Sequence, residues 1–374
     1  MILHLIEDEK VVSRMIENFE TARPGENMFV CMCRKNRKDN YIPIHIKTNI
    51  EVTYFDYRYD KFEKDLSNYD LVIIHYLTYQ KALFVDKYVR KDARICWAVW
   101  GGDMYGILNG YYGYKLYSDE NSYHKRWTIK GVIKSVLGIE RKRKRIILSF
   151  VKNQVKEIIG FEEDKELLES NIGISGIKVH QFYYYPIEQI LNENLLNKSI
   201  SDSSCHILCG NSGSYTGNHE YVLNILKDLD LSNWKVIMPL SYGGSPSYIS
   251  KVKHYGTELL NSSFVPLKEF MPLDDYNQLM VSSRICIYGH WREEAFGNIV
   301  IALYLGAKVF VSNRNPFIKG LRRLGFIIFE LERISQEELE TPLSLDEKDN
   351  NRRRCLELLS ASKTQGFINT IVNG

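Results

Sequence analysis

The stretch ICIYGHWREEAFGNIVIALYLGAKVFV, residues 285–311, decides how the rest of the chain is read. Ile285 to Tyr288 is a short apolar run of strand length. Gly289 to Asn298 is polar and holds two glycines, Ile299 to Leu305 is an apolar helical run closed by Gly306, and Lys308 to Val311 is a second strand. Strand, loop, helix and strand in that order make a crossover unit of a parallel sheet. The same alternation continues in both directions. Strand candidates are Ile2–Ile6, Phe29–Cys33, Leu71–Tyr76 and Ile95–Val99 in the first half, then His206–Cys209, Val236–Pro239 and Ile327–Phe329 in the second. Amphipathic runs lie between them: Tyr248, Val252, Tyr255 and Leu259 fall on one helical face of Ser247–Leu260. The polar run Asn197-Lys-Ser-Ile-Ser-Asp-Ser-Ser204 breaks the periodicity and reads as a boundary. Two α/β domains are expected, over residues 1–196 and 205–344, with a helical tail over 345–374 packing back toward the first. Ligands of open α/β sheets sit outside the carboxyl ends of the strands, so a cleft between the two domains is the expected site.

At 374 residues the chain suits two domains at about 150 residues each. With 44% hydrophobic and 25% charged residues, disordered and fibrous classes are excluded. The longest apolar stretch, Ile299 to Val311, is broken by Lys308 and falls short of the roughly 20 residues that span a bilayer. No signal peptide is visible at Met1. Seven cysteines, an odd number without zinc-type spacing, suit reduced thiols in the cytoplasm. No metal-ligand spacing appears, and no cofactor is expected.

Two loops carry anion-binding signals. Gly210-Asn-Ser-Gly213, continuing to Asn218 and His219, follows a strand and opens a helix. Gly297-Asn298 opens the apolar helix of the quoted stretch. Backbone N–H groups at such helix starts attract phosphate, and Arg292 adds positive charge. Glu293 and Glu294 suit the hydroxyls of a sugar. Neither loop fits a dinucleotide fingerprint or a Walker motif, which disfavours a dehydrogenase or an ATPase.

Val99-Trp-Gly-Gly-Asp-Met-Tyr105, the loop Gly210–His219, Arg292 to Gly297 with Phe296 inside it, and Asn313-Arg-Asn-Pro-Phe317 together resemble the N-acetylfucosaminyltransferases of enterobacterial common antigen synthesis, glycosyltransferase family 56. Phe296 and Asn298 join Gly297 as donor-contact candidates. The resemblance covers most of residues 70–330. It implies a GT-B architecture, two Rossmann-like domains with an inter-domain cleft, the nucleotide-sugar donor on the second and the acceptor on the first. Glu294-Ala-Phe-Gly297 also resembles the E-x-F-G region of larger retaining GT-B transferases. The second acid of that region is missing, since the following turn reads Val300-Ile-Ala-Leu303.

In the first half, Trp100, Gly101, Gly102 and Tyr105 lie past the end of a strand, where they would face an acceptor. Asp103 is the candidate general base for the acceptor hydroxyl and His75 the second candidate; an N-cap role for Asp103 and a structural role for His75 are the alternatives. From His124 to Lys152 there are ten Lys or Arg and one acid, for +9 against −6 in the remainder. Apolar residues interleave with this charge, and Arg141, Lys142, Arg143, Lys144 and Arg145 form its densest run. Such a segment suits docking to an anionic membrane, and no recognition motif points to nucleic acid. The expectation is a bacterial glycosyltransferase, peripheral on the cytoplasmic face. It would move an N-acetylfucosamine- or fucose-type sugar from a nucleotide diphosphate to a lipid-linked glycan of surface polysaccharide such as O-antigen or common antigen. A nucleotide-sugar 2-epimerase and a non-catalytic sugar-binding protein are the alternatives.

Overall fold

The computed structural model describes residues 1–9, 11–32, 50–121, 138–184, 186–191 and 193–374. Seven strands form the first sheet: β1 (Ile2–Ile6), β2 (Asn27–Met32), β3 (Val52–Phe55), β4 (Leu71–His75), β5 (Arg94–Ala98), β6 (Glu157–Ile159) and β7 (Lys178–His180). Their order is β3-β2-β1-β4-β5-β6-β7, and all of these pairings are parallel. The second sheet holds β8 (His206–Cys209), β9 (Lys235–Pro239), β10 (Phe264–Leu267), β11 (Ile285–Tyr288), β12 (Lys308–Val311) and β13 (Phe329–Glu330), in the order β10-β9-β8-β11-β12-β13. It too is parallel throughout.

Parallel strands covered by helices on both faces must be apolar on both sides. The central strands comply: every residue of β1, β4, β11 and β12 is buried. Helix Phe296–Leu305 is buried from Ile299 to Leu305, all round, because helix Leu345–Leu359 packs on the side away from the sheet. That outer helix starts with a capping box of Ser344 and Glu347.

The chain divides into two compact units. One contains Met1–Tyr114, Arg126–Pro186 and Ala361–Gly374; the other contains Lys115–Lys125 and Ile187–Ser360. The division thus departs from the boundary expected at 197–204. Those residues are bound into the second unit, where Ile200 N–H donates to the Leu305 carbonyl at 3.0 Å. The tail is also shared out: helix Leu345–Leu359 belongs to the second unit, and helix Ala361–Asn373 packs on helix Val12–Ala22 in the first. Among the described residues no helix is long and apolar enough to cross a membrane.

Candidate functional site

Each strand order reverses direction once. In the second sheet the reversal falls between β8 and β11, and in an open parallel sheet this switch point opens a crevice at the carboxyl ends of the strands. The loops leaving these two strands are Gly210–Asn218 and Gly289–Ala295, the two that carry the anion-binding signals. Gly210 takes φ +73°, which lets the chain turn sharply out of β8. At Gly289 a β-carbon would stand 2.7 Å from the Gly217 carbonyl oxygen and 2.5 Å from a Val222 methyl, so only glycine lets the two loops lie this close.

The second loop ends in a strained residue. Ala295 has φ +63°, in the left-handed region where a side chain costs about 1–2 kcal/mol. It feeds directly into helix Phe296–Leu305, and no side chain caps that helix start. Ala295, the residue in the N-cap position, has no side-chain oxygen to accept from the N–H groups of this first turn, as the N-cap residue of a helix usually does. A β-carbon on Gly297 would meet nothing within 4 Å, so the approach over the first turn is open. Phe296 packs edge-to-face on Phe317 at 5.4 Å, which ties the Asn313–Phe317 segment to this helix.

Arg292 and Glu294 stand beside that helix start and are paired. The guanidinium donates from Nε to Glu294 Oε2 at 2.8 Å, with an Nη2 contact of 2.7 Å to the same oxygen. Burial pushes the Glu294 carboxyl up, but His290, Arg292 and a hydrogen bond from Thr216 outweigh it and leave its pKa below the ordinary range. Glu294 is thus held as a carboxylate. His290 lies 3.7 Å from Glu294 Oε1 through Nε2, is 1% exposed, and has no hydrogen-bond partner on Nδ1. Burial keeps its imidazole below its usual pKa. Sequence reasoning missed both His290 and Thr216; the i, i+4 spacing of His290 and Glu294 was the available signal for the first.

The loop after β8 is held from within. Asn218 is fully buried and uses its whole amide: Oδ1 accepts from Ser118 N–H (3.0 Å) and Asn121 Nδ2 (2.9 Å), while Nδ2 donates to the carbonyls of Gly289 (3.0 Å) and Leu116 (3.3 Å). His219 donates from Nε2 to the Ser212 carbonyl at 2.9 Å and accepts from Tyr248 O–H on Nδ1 at 2.9 Å. Burial lowers its pKa to about 4, so the ring is neutral. The expectation that Asn218 and His219 contact a donor does not fit this geometry, because their polar atoms are already used to shape the loop. Ser212 and Gly213 are buried, and Gly213 N–H donates to the Tyr242 carbonyl at 2.7 Å. Asn211, Glu293, Phe296, Gly297 and Asn298 remain half-exposed beside the crevice.

In the first unit, Asp103 is 5% exposed and accepts four hydrogen bonds. Oδ2 takes Leu77 N–H and Trp97 Nε1–H, both at 2.7 Å; Oδ1 takes Trp100 N–H at 3.0 Å and Met104 N–H at 2.9 Å. Burial outweighs these donors and raises its pKa. A base must offer a free lone pair to its substrate; this carboxylate instead ties the ends of β4 and β5 to helix Gly102–Tyr112. The role of general base therefore does not fit Asp103.

His75 is equally interior. Trp100 Nε1–H donates to Tyr184 Oη (2.6 Å), whose hydroxyl donates to His75 Nδ1 (2.7 Å). His75 Nε2–H then donates to His4 Nδ1 (3.1 Å), and His4 Nε2–H to Asn27 Oδ1 (3.2 Å). The Asn27 amide nitrogen meets the Phe19 and Arg23 carbonyls, which fixes the direction of the whole chain. Burial holds His75 well below its usual pKa and His4 at about 3, so both rings are neutral. With both ring nitrogens engaged, His75 does not serve as a base. Tyr105 is 1% exposed and lies in the core. Trp100 and Gly102 are half-exposed, Gly101 turns the chain at φ +71°, and Trp97 is core.

Of the basic run, Arg141, Lys142 and Arg145 are exposed on helix Ile139–Asn153. Arg143 lies over the Tyr79 ring at 4.6 Å and Lys144 over Tyr111 at 5.0 Å. The first part of the expected membrane segment, residues 124–137 with Trp127, Ile133 and Leu137, lies outside the described residues.

Comparison with known proteins adds to this geometry. Residues 151–350 match the family described as 4-alpha-L-fucosyltransferase, glycosyl transferase group 56. Among solved structures, the Anabaena HepE protein in complex with UDP-glucose is similar over 100% of this chain and 99% of its own, with a TM-score of 0.63 and 12% identity. Sucrose-phosphate synthase from Thermosynechococcus elongatus is similar over 100% and 98%, with a TM-score of 0.60 and 9% identity. AviGT4, a glycosyltransferase involved in avilamycin A biosynthesis, is similar over 100% and 98%, with a TM-score of 0.52 and 9% identity. At these identities the likeness establishes the fold, GT-B.

Proposed function

The chain belongs to the 4-alpha-L-fucosyltransferase family, glycosyl transferase group 56, and from that premise we propose that this glycosyltransferase moves a fucose-type deoxy or deoxyamino sugar, N-acetylfucosamine in kind, from a nucleoside diphosphate to a lipid-linked glycan of surface polysaccharide. The observation that carries this reading is the uncapped start of helix Phe296–Leu305 at the switch point of the second sheet, with Arg292 and Glu294 beside it. A helix N-terminus and a guanidinium suit a diphosphate. As the bond from the anomeric carbon to the donor phosphate breaks, negative charge grows on the leaving oxygen, and fixed donors stabilise it. Glu294, kept ionised, accepts hydrogen bonds from sugar hydroxyls. The complex of HepE with UDP-glucose supports a nucleotide-sugar donor on this fold.

The positive charge comes from the chain, so donor binding proceeds without a divalent metal. The acceptor belongs to the first unit, at the carboxyl edge of its sheet near Trp100. Exposed Arg141, Lys142 and Arg145 supply the contact with an anionic membrane on its cytoplasmic face, where O-antigen or common-antigen intermediates are assembled; nucleic acid has no part in this reading. Incubation with TDP-, UDP- and GDP-sugars and a polyprenyl-diphosphate-linked glycan tests it. Release of nucleoside diphosphate together with a glycan longer by one sugar supports transfer. Epimerised free sugar without any lengthened glycan favours the epimerase, and no turnover with tight nucleotide-sugar binding favours a binding protein.

A further inference from the structure

The first sheet has its own switch point, between β1 and β4. The residue that leaves β4 there is Tyr76, and its φ is +65°. A side chain with a β-carbon occupies that region only where its surroundings impose it, and such residues gather at ligand sites. Here the surroundings are specific. Lys81 is fully buried, and its Nζ donates to the carbonyls of His75 (2.5 Å) and Tyr76 (3.1 Å) and pairs with Glu7 Oε1 at 3.1 Å. Tyr76 N–H donates to the Ala98 carbonyl at 3.2 Å, and Leu77 N–H is held by Asp103. The peptide groups on both sides of Tyr76 are therefore fixed.

What this frame presents is aromatic. The half-exposed Tyr76 ring meets the half-exposed Trp100 ring at 5.9 Å with 64° between their planes. Trp100 in turn stands at 88° to Tyr184, 5.5 Å away, and spends its indole N–H on the Tyr184 oxygen. With that N–H used, the π-face is what the indole has left to offer. The electron-rich face of an aromatic ring attracts weakly positive C–H groups, and one face of a pyranose ring is a set of axial C–H bonds.

We propose that Tyr76 and Trp100 form a stacking step for the apolar face of an acceptor pyranose ring, and that Lys81 is the positioning residue that holds Tyr76 in its left-handed conformation. The proposal rests on the reading that the first unit takes the acceptor glycan. Its test uses the full chain and two probes at millimolar concentration, methyl N-acetyl-β-D-glucosaminide and methyl β-D-galactopyranoside, followed by saturation-transfer NMR. In the wild type, transfer should concentrate on the axial protons of one ring face. Tyr76→Gly keeps the backbone conformation without a β-carbon; it should keep its melting temperature and its UDP affinity while losing glycoside affinity by roughly tenfold. Tyr76→Phe, which retains the ring, should restore that affinity. Lys81→Met should weaken glycoside binding alone but add nothing in the Tyr76→Gly background, because it acts through Tyr76. Glycoside binding by Tyr76→Gly equal to wild type, or no saturation transfer to either probe from the wild type, overturns the stacking step. If UDP still binds in that case, the donor reading stands; a wild type that binds no nucleotide overturns that reading instead.

Discussion

Replacing Asp103 by Asn separates a framework carboxylate from a catalytic one. The two oxygens of Asp103 accept four N–H groups, two apiece, within a site 5% exposed. An asparagine of the same shape keeps one accepting oxygen and sets an NH2 group against two N–H donors. Each lost bond to a charged acceptor is worth about 1.5–3 kcal/mol. Two of them come to about 3–6 kcal/mol, and removing a carboxylate whose burial already raises its pKa returns part of that. A net loss of about 3 kcal/mol should lower the melting temperature by about 6–12 °C in a unit of this size. Thermal unfolding followed by tryptophan fluorescence measures it, since Trp97 and Trp100 both report on the site. Transfer assayed below the new transition should fall only modestly. A variant that melts like the wild type yet loses transfer by about 100- to 10,000-fold would refute the framework role and return Asp103 to the part of general base.

Three further outcomes are expected. Gly289→Ala should destabilise the second unit and weaken nucleotide binding, because the new methyl would stand 2.7 Å from the Gly217 carbonyl; unchanged UDP affinity by calorimetry counts against the loop packing described. Burial pushes the Glu157 carboxyl up, but hydrogen bonds from His180 and Arg94 bring it down to about 2, and Arg94 also holds the Ile371 and Val372 carbonyls of the last helix. A lowered folded pKa means stability that is present above the unfolded value near 4.5 and lost as pH falls toward 2, so acid titration should release the C-terminal helix in hydrogen exchange and Glu157→Gln should flatten that dependence. Arg141→Gln, Lys142→Gln and Arg145→Gln together should release the protein from phosphatidylglycerol vesicles, each charge contributing roughly 1 kcal/mol; equal sedimentation of wild type and variant leaves the run as a solvated face.

What could be read from residues alone follows the burial of each strand. The central strands β1, β4, β8 and β11 are apolar runs interrupted only by His4, His75 and His206, because helices cover both faces, and the sequence names each of them. The strands it missed lie at sheet edges or are short: β3 and β7 border the first sheet, β10 borders the second and carries Pro266, and β6 spans Glu157–Ile159. An edge strand has one partner and needs less apolar sequence, and a proline is tolerated there. The Ser- and Asn-rich run 197–204 looked like a linker, yet Ile200 is bonded to Leu305 more than a hundred positions away. The site divides in the same manner. The glycine turns and the pairing of Arg292 with Glu294 involve neighbours in sequence, so residue type and spacing already point to those two loops. The partners that occupy Asp103, His75, Asn218 and His219 come from distant segments, such as Asn121 on Asn218 and Tyr184 on His75. Residue type and spacing alone do not distinguish a polar group awaiting substrate from one already satisfied by the chain.

Titration of UDP, TDP and GDP into the protein in EDTA, followed by calorimetry, tests the central claim most directly. On the proposed reading the helix N-terminus and Arg292, oriented by Glu294, hold the diphosphate without a metal, so at least one nucleoside diphosphate should bind in EDTA, and Arg292→Ala should weaken it by tenfold or more, on the order of a charge-assisted contact. Binding that appears only when magnesium or manganese is added, or that survives Arg292→Ala unchanged, would contradict the account.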